Sequence, residues 1–125
     1  MKRYLSNLSL LTVAGLTLLA VFLYVSLKLA IGGFDASRFI TAGDRFVNAS
    51  QLDAPVHILS DSAGYDGQFY YRLAIDPFTR EPLDHGISLD NPSFRMQRIG
   101  YPLFIWMLSG GGTAIEAIPW LMVLV

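Results

Sequence analysis

Between Tyr4 and Leu27 the chain runs 24 residues without a charged side chain, and Leu8–Leu27 is dominated by Leu, Val, Ala and Phe. At ~1.5 Å of rise per residue, about twenty such residues cross the ~30 Å hydrocarbon core of a bilayer. A soluble domain would have to bury such a helix on every side. Two readings fit the stretch, a membrane anchor and a cleaved signal peptide. A signal carries only ~7–15 apolar residues before an A-x-A-like site. Here the run is longer, and Lys28 and Ile31 occupy the −3 and −1 positions where a cleavage site needs small residues. The anchor is the better fit.

The charges are partitioned as sharply as the hydropathy. Residues 1–31 carry Lys2, Arg3 and Lys28 and no acid, residues 32–98 carry six arginines and nine acids, and residues 99–125 carry Glu116 alone. Lys2 and Arg3 precede the apolar run, so the positive-inside rule puts the N-terminus in the cytoplasm and residues 32–98 outside. The near balance of nine basic and ten acidic residues excludes a broad basic surface for nucleic acid. With no cysteine, disulfide scaffolds and thiolate metal centres are excluded too.

Within 32–98, apolar or small residues at 36, 39, 40, 43, 46 and 47 fall on one stripe of an amphipathic helix, expected over Ala36–Val47 and able to lie on the outer membrane surface. Gln51–Ser60, with Pro55, reads as a loop or short extended piece. Asn48-Ala49-Ser50 fits an N-glycosylation pattern, but nothing else points to a secretory-pathway host. Asp66 is placed as the N-cap of a short helix that buries Phe69, Tyr70, Leu73 and Ala74 and stops at Pro77. Asn91 caps a further helix with Pro92 at its first position. That helix is expected to run to Ser109, ~27 Å, as a second crossing kinked at Pro102. Gly110-Gly111-Gly112 breaks the chain, and Pro119-Trp120 opens a third apolar run that stops at Val125 in mid-span. The chain is therefore expected to be the N-terminal piece of a longer protein.

The expected fold is all-α: a polytopic transmembrane helical protein with a large extracytoplasmic loop of short amphipathic helices. Its segments are 1–31 (cytoplasmic start and first membrane helix), 32–98 (extracytoplasmic loop) and 99–125 (second membrane segment, glycine turn and the start of a third).

No nucleotide-binding glycine loop, G-x-S-x-G or H-E-x-x-H is present. His57 and His85 read as solvated loop residues. Asp66 has two readings, a helix cap and a carboxylate that orients or deprotonates a substrate hydroxyl. Arg95 and Arg98, three apart on one helical face, are either snorkelling interfacial residues or a clamp for a lipid-linked phosphate.

Tyr65-Asp66-Gly67-Gln68-Phe69-Tyr70-Tyr71, followed by Leu73-Ala74 and Asp76-Pro77-Phe78, resembles the first outer loop of bacterial GT-C-type polytopic membrane glycosyltransferases. The nearest likeness is to those associated with cell-surface glycopolymer formation. Leu89-Asp90-Asn91-Pro92, with Arg95, Gln97-Arg98-Ile99 and Tyr101-Pro102-Leu103, looks like the run into their second membrane helix, and Trp120 like the start of the next. The resemblance covers the chain from about residue 35 onward. Phe94 stands where tyrosine is expected, and the chain has far fewer apolar segments than such enzymes.

The resemblance implies transfer of a sugar from a polyprenyl-phosphate donor to an extracytoplasmic glycan or lipid acceptor, at the bacterial inner membrane. It implies Asp66 as the catalytic residue, and Tyr65, Gln68, Tyr70, Arg95, Gln97 and Arg98 as substrate-binding residues. It leaves a divalent metal (Mg or Mn) open as a cofactor, with Asp66 its candidate ligand. The alternative is a non-catalytic membrane subunit of a polysaccharide assembly or export complex.

Overall fold

The computed structural model describes residues 9–125 and separates into two compact units, one ending at Phe34 and the other spanning Asp35–Val125. The first unit is a single helix, α1 (Leu10–Ile31), 22 residues and so ~33 Å long. Ser9 starts it, its hydroxyl accepting from the Thr12 amide at 3.2 Å. Gly32 and Gly33 end it, with Gly33 at φ 68°. Lys28 lies in the last turn, its Nζ 5.9 Å from the Tyr24 ring centroid. Among the described residues α1 is the one helix long and apolar enough to cross a membrane, a test that a signal sequence also passes. Of the uncharged run, residues 4–8 lie outside the described residues.

In the second unit, α2 (Asp66–Ile75) is the central element. Phe69, Tyr71, Leu73, Ala74 and Ile75 are buried, and so are the polar Gln68 and Arg72. Tyr70 is only half-buried. Packed on α2 are α4 (Gly100–Leu108) and α5 (Ile118–Leu124), with Ile105 and Ile118 fully buried between them. The remaining structure is brief: β1 (Ala42–Gly43) pairs in parallel with β2 (Ile58–Leu59), and β3 (Leu83–Asp84) pairs antiparallel with β4 (Ile87–Ser88). The second pair turns through His85 and Gly86, both at positive φ, as a two-residue hairpin loop requires. Arg72 fastens this hairpin to α2, its Nη1 donating to the Pro82 and Ile87 carbonyls at 2.9 Å each and its Nη2 to the Glu81 carbonyl.

The amphipathic helix expected over Ala36–Val47 does not form. A 3-10 turn over Ala36–Phe39 ends where Thr41 takes φ 54°, and the chain enters β1. Long-range bonds outcompete the helix: the Gly43 amide donates to Gln68 Oε1 at 3.0 Å, and the Thr41 carbonyl accepts from the Tyr65 amide at 3.0 Å. Gly43 lies so close to the Ser62–Gly64 backbone that no Cβ fits there. The apolar stripe is buried nonetheless, through Ala36, Ile40 and Val47. Residues expected to lie on a membrane surface pack instead into the core of this unit.

The polytopic all-α architecture is overturned as well. The stretch expected to be a second crossing is two short helices, α3 (Pro92–Met96) and α4, separated by a turn at 97–99. Asn91 caps α3 as expected, its Oδ1 accepting from the Phe94 amide at 3.2 Å with Pro92 at the helix start. The break follows from Pro102, whose ring would clash with the Arg98 carbonyl and leave it unbonded in a continuous helix. Proline is tolerated in a first turn, and α4 starts two residues before it. At nine residues α4 is ~14 Å long and cannot cross a bilayer. Gly110, Gly111 and Gly112 take φ 72°, 75° and 77° in succession, turning the chain toward α5. Gly112 sits against the Ile75 carbonyl where a Cβ would collide.

Replacing Arg72 with Leu removes the guanidinium from three carbonyls, of which that of Pro82 keeps the Leu89 amide at 3.3 Å. The variant is expected to lose at least ~3 kcal/mol of stability. The check is chemical denaturation of the full chain in detergent, followed by the fluorescence of Trp106 and Trp120, both in this unit.

Candidate functional site

The N-terminus of α2 meets α3 in a cluster of two carboxylates and two guanidiniums. Tyr65, in extended conformation, is the N-cap residue of α2 and makes no side-chain cap. Asp66 is the first helical residue, not the cap expected from the sequence, and its carboxylate faces α3. There Asp66 Oδ1 accepts from Arg95 Nη1 at 2.6 Å, and Asp66 Oδ2 lies 3.5 Å from Arg98 Nη1. Arg95 also forks onto Asp90, Nε to Oδ1 at 2.8 Å and Nη2 to Oδ2 at 2.7 Å. Its guanidinium lies 4.2 Å from the Phe69 ring centroid, joining the ion cluster to the core.

The local sequence explains this arrangement. Asn91 and Pro92 fix the start of α3, and the i, i+3 spacing then turns Arg95 and Arg98 toward the same side. The two differ in environment. The Arg95 side chain is 8% exposed with three of its five N–H donors engaged, whereas Arg98 is 53% exposed and stacks 4.8 Å from Phe94. Asp66 is 47% exposed. The hydrogen bonds from Arg95 hold the Asp90 carboxyl below its ordinary value. The bonds that Arg95 donates to Asp90, then to Asp66, raise it further, so it is permanently charged.

Of the residues implied by the resemblance, the structure brings Asp66, Arg95 and Arg98 together. Gln68 is elsewhere and fully buried, its Oε1 accepting from Gly43 and its Nε2 donating to the Ala63 carbonyl at 2.6 Å. Both its polar ends have internal partners. Tyr65 is exposed beside Asp66, Tyr70 is half-buried with its ring edge-on to Tyr101, and Gln97 is exposed in the turn after α3. Asp90 is the residue that the sequence reading missed. The available signal was its place just before the Asn91-Pro92 helix start, five residues from Arg95.

A divalent metal on Asp66 does not fit this donor set. Both Asp66 oxygens face guanidiniums, and both Asp90 oxygens are taken by Arg95. A second group lies at the β3–β4 turn. His85, expected as a solvated loop residue, is 22% exposed, contacts Asp53 through Nδ1 and lies 3.5 Å from Asp84 through Nε2. Asp76, Asp84 and His85 offer ligand atoms within 4.8 Å of one another. The buried Arg72 guanidinium already supplies positive charge to Asp84 and Asp76. His57 is half-buried, its amide donating to Ser37 Oγ at 2.8 Å.

Searches against protein-family models, curated proteins and solved structures give no match to this chain.

The depressed Asp90 carboxyl makes a pH prediction. A folded-state value below the unfolded one (ordinary value 3.8) gives stability that is present above it and lost as pH falls through the folded value. Asp90→Asn is expected to cost about 1 kcal/mol at neutral pH, the full charge-assisted bond being discounted for the solvent at Asp90. The difference from the parent chain should be flat from neutral pH to about pH 5 and close below about pH 4. Urea titrations of both chains across that range provide the check.

Proposed function

We propose that this chain is held in a bacterial cytoplasmic membrane by α1, and that Asp66, Arg95 and Arg98 form the extracytoplasmic site of a glycosyltransferase. The donor is a polyprenyl-phosphate-linked sugar, and the acceptor is a glycan or lipid hydroxyl in cell-surface glycan assembly. Lys2 and Arg3 before the apolar run support a cytoplasmic N-terminus. The observation that carries the catalytic reading is the pairing, on an open surface, of a half-exposed carboxylate with a half-exposed guanidinium 3.5 Å away.

The chemistry assigns a role to each group. Arg98, with donors to spare, meets the donor phosphate oxygens and stabilises the charge that develops there. The bond between the anomeric carbon and the phosphate oxygen breaks, and the phosphate leaves with the electron pair. The acceptor oxygen forms the new glycosidic bond, and its proton passes to the Asp66 carboxylate. Arg95 is a positioning residue in this scheme, since it holds Asp66 Oδ1 and keeps the carboxylate aimed.

The second reading, a non-catalytic subunit of an assembly or export complex, is favoured by one observation. Arg95 bridges Asp66 and Asp90 as a nearly buried structural ion pair would, and docks α3 on α2 without any substrate.

Asp66→Asn separates the two. Asparagine keeps the size and can still accept from Arg95, so the fold is expected to stand by circular dichroism. Under the catalytic reading, surface glycan made by cells whose sole copy is the variant falls by about 100-fold or more. Under the subunit reading, glycan output stays at the parent level. Arg98→Gln is expected to lower turnover as well as weaken donor binding, read as a reduced kcat/KM in membranes supplied with the lipid-linked sugar.

A further inference from the structure

On α4 the side opposite the core has no polar cover. Its inner side, Pro102 and Ile105, is buried against α2 and α5, while Phe104 is 46% and Met107 57% exposed on the outer side, with Leu108 beside them. No residue from Gly100 to Leu108 is charged. A helix that is apolar all round belongs in a core or in lipid, not against water. We infer that the outer face of α4 rests in the interfacial layer of a bilayer, parallel to its surface.

Three observations select lipid as the occupant. The second unit begins at Asp35, only three residues after α1 ends at Ile31. The link from Ile31 to Asp35 spans at most about 14 Å, so an α1 that spans the bilayer tethers this unit close to its surface. A second copy or a soluble partner must arrive by diffusion, whereas the bilayer is tethered to the same chain and present at high effective concentration. Arg98, half-exposed and stacked on Phe94, also precedes α4 by two residues and offers a cation to lipid phosphates. At ~14 Å the helix is too short to cross, which leaves the surface orientation. This inference rests on α1 as an anchor. It places the Asp66–Arg98 pair at headgroup depth, where a lipid-linked phosphate lies.

The experiment uses the full chain in phosphatidylcholine vesicles. Trp106 and Trp120, the two tryptophans of the chain, are replaced by Phe, and Phe104→Trp puts one fluorophore on the face. Flotation and resistance to alkaline carbonate read the anchor; quenching by lipids brominated at different acyl depths reads the face. Quenching is expected to be at least about twofold stronger from bromines near the carbonyl end than from those near the methyl end, the depth pattern of a face ~5–10 Å below the headgroups. Adding Met107→Ser and Leu108→Ser should cut it by half or more with circular dichroism unchanged. If the Phe104→Trp variant misfolds, Met107→Trp in the same tryptophan-free background reads the same face, and absence of the depth pattern there overturns the inference. Carbonate-resistant flotation without quenching overturns the inference and leaves the anchor standing. Failure to float overturns both. Concentration-dependent crosslinking through α4 without quenching assigns the face to a second copy and overturns the inference.

Discussion

Gln68 and Arg72, one turn apart on α2 and both fully buried, hold together a unit that has almost no regular sheet. Its two strand pairs are two residues long each, so most buried backbone groups outside the helices lack a ladder to satisfy them. The two side chains take that role. Gln68 ties the segment around Gly43 to the Ala63 carbonyl, and Arg72 collects the carbonyls of Pro82, Ile87 and Glu81. Desolvation lowers the Arg72 pKa, yet the acids Asp84 and Asp76 nearby oppose that shift. A polar staple of this kind is costly when incomplete and specific when complete. It sets the positions of both irregular segments against one helix.

That helix also places the candidate site. The core residues of α2 lie from Gln68 onward, so its first residue, Asp66, emerges at the edge of the packed interior with its carboxylate half in water. The α3 turn docks there through Arg95, which meets Asp66, Asp90 and the face of Phe69 at once. The cluster grades from the nearly buried Arg95 to the open Arg98. The buried guanidinium fixes the carboxylate, and the exposed one is available to an anion.

The apolar ends of the chain divide into two physical cases. In α1 the uninterrupted helix is long enough for a bilayer crossing. In α3 and α4 a comparable stretch is broken by the demands of Pro102, and its apolar residues are shared between a small core and an exposed face. The two differ in hydropathy as well, since α1 has no charge before Lys28 whereas the other stretch carries Arg95, Gln97 and Arg98. The proline and the packing partner that α2 offers add to that difference.

Several features were legible in the residues themselves because their causes are local. The apolar run before residue 32, the Asn91-Pro92 helix start, the short helix after Tyr65 and the triple-glycine break each depend on solvation or sterics within a few residues. The stripe at 36–47 was legible as an apolar set but neither as a backbone nor as part of a core, because Gly43 and Thr41 are bonded to residues more than twenty positions away. The site was half legible. Asp66, Arg95 and Arg98 stood out by type and spacing, yet the 29-residue link between Asp66 and Arg95 has no trace in a linear pattern, and Asp90 looked like part of a helix cap. Gln68 was misjudged for the same reason, since whether an amide faces substrate or seals a core depends on what packs over it. The sequence by itself determined where the chain is apolar, where helices can start and where charge collects, because those follow from each residue's own chemistry. The tertiary structure alone decided which carboxylate meets which guanidinium and which polar side chains are enclosed, because those depend on distances that exist only once the chain is folded.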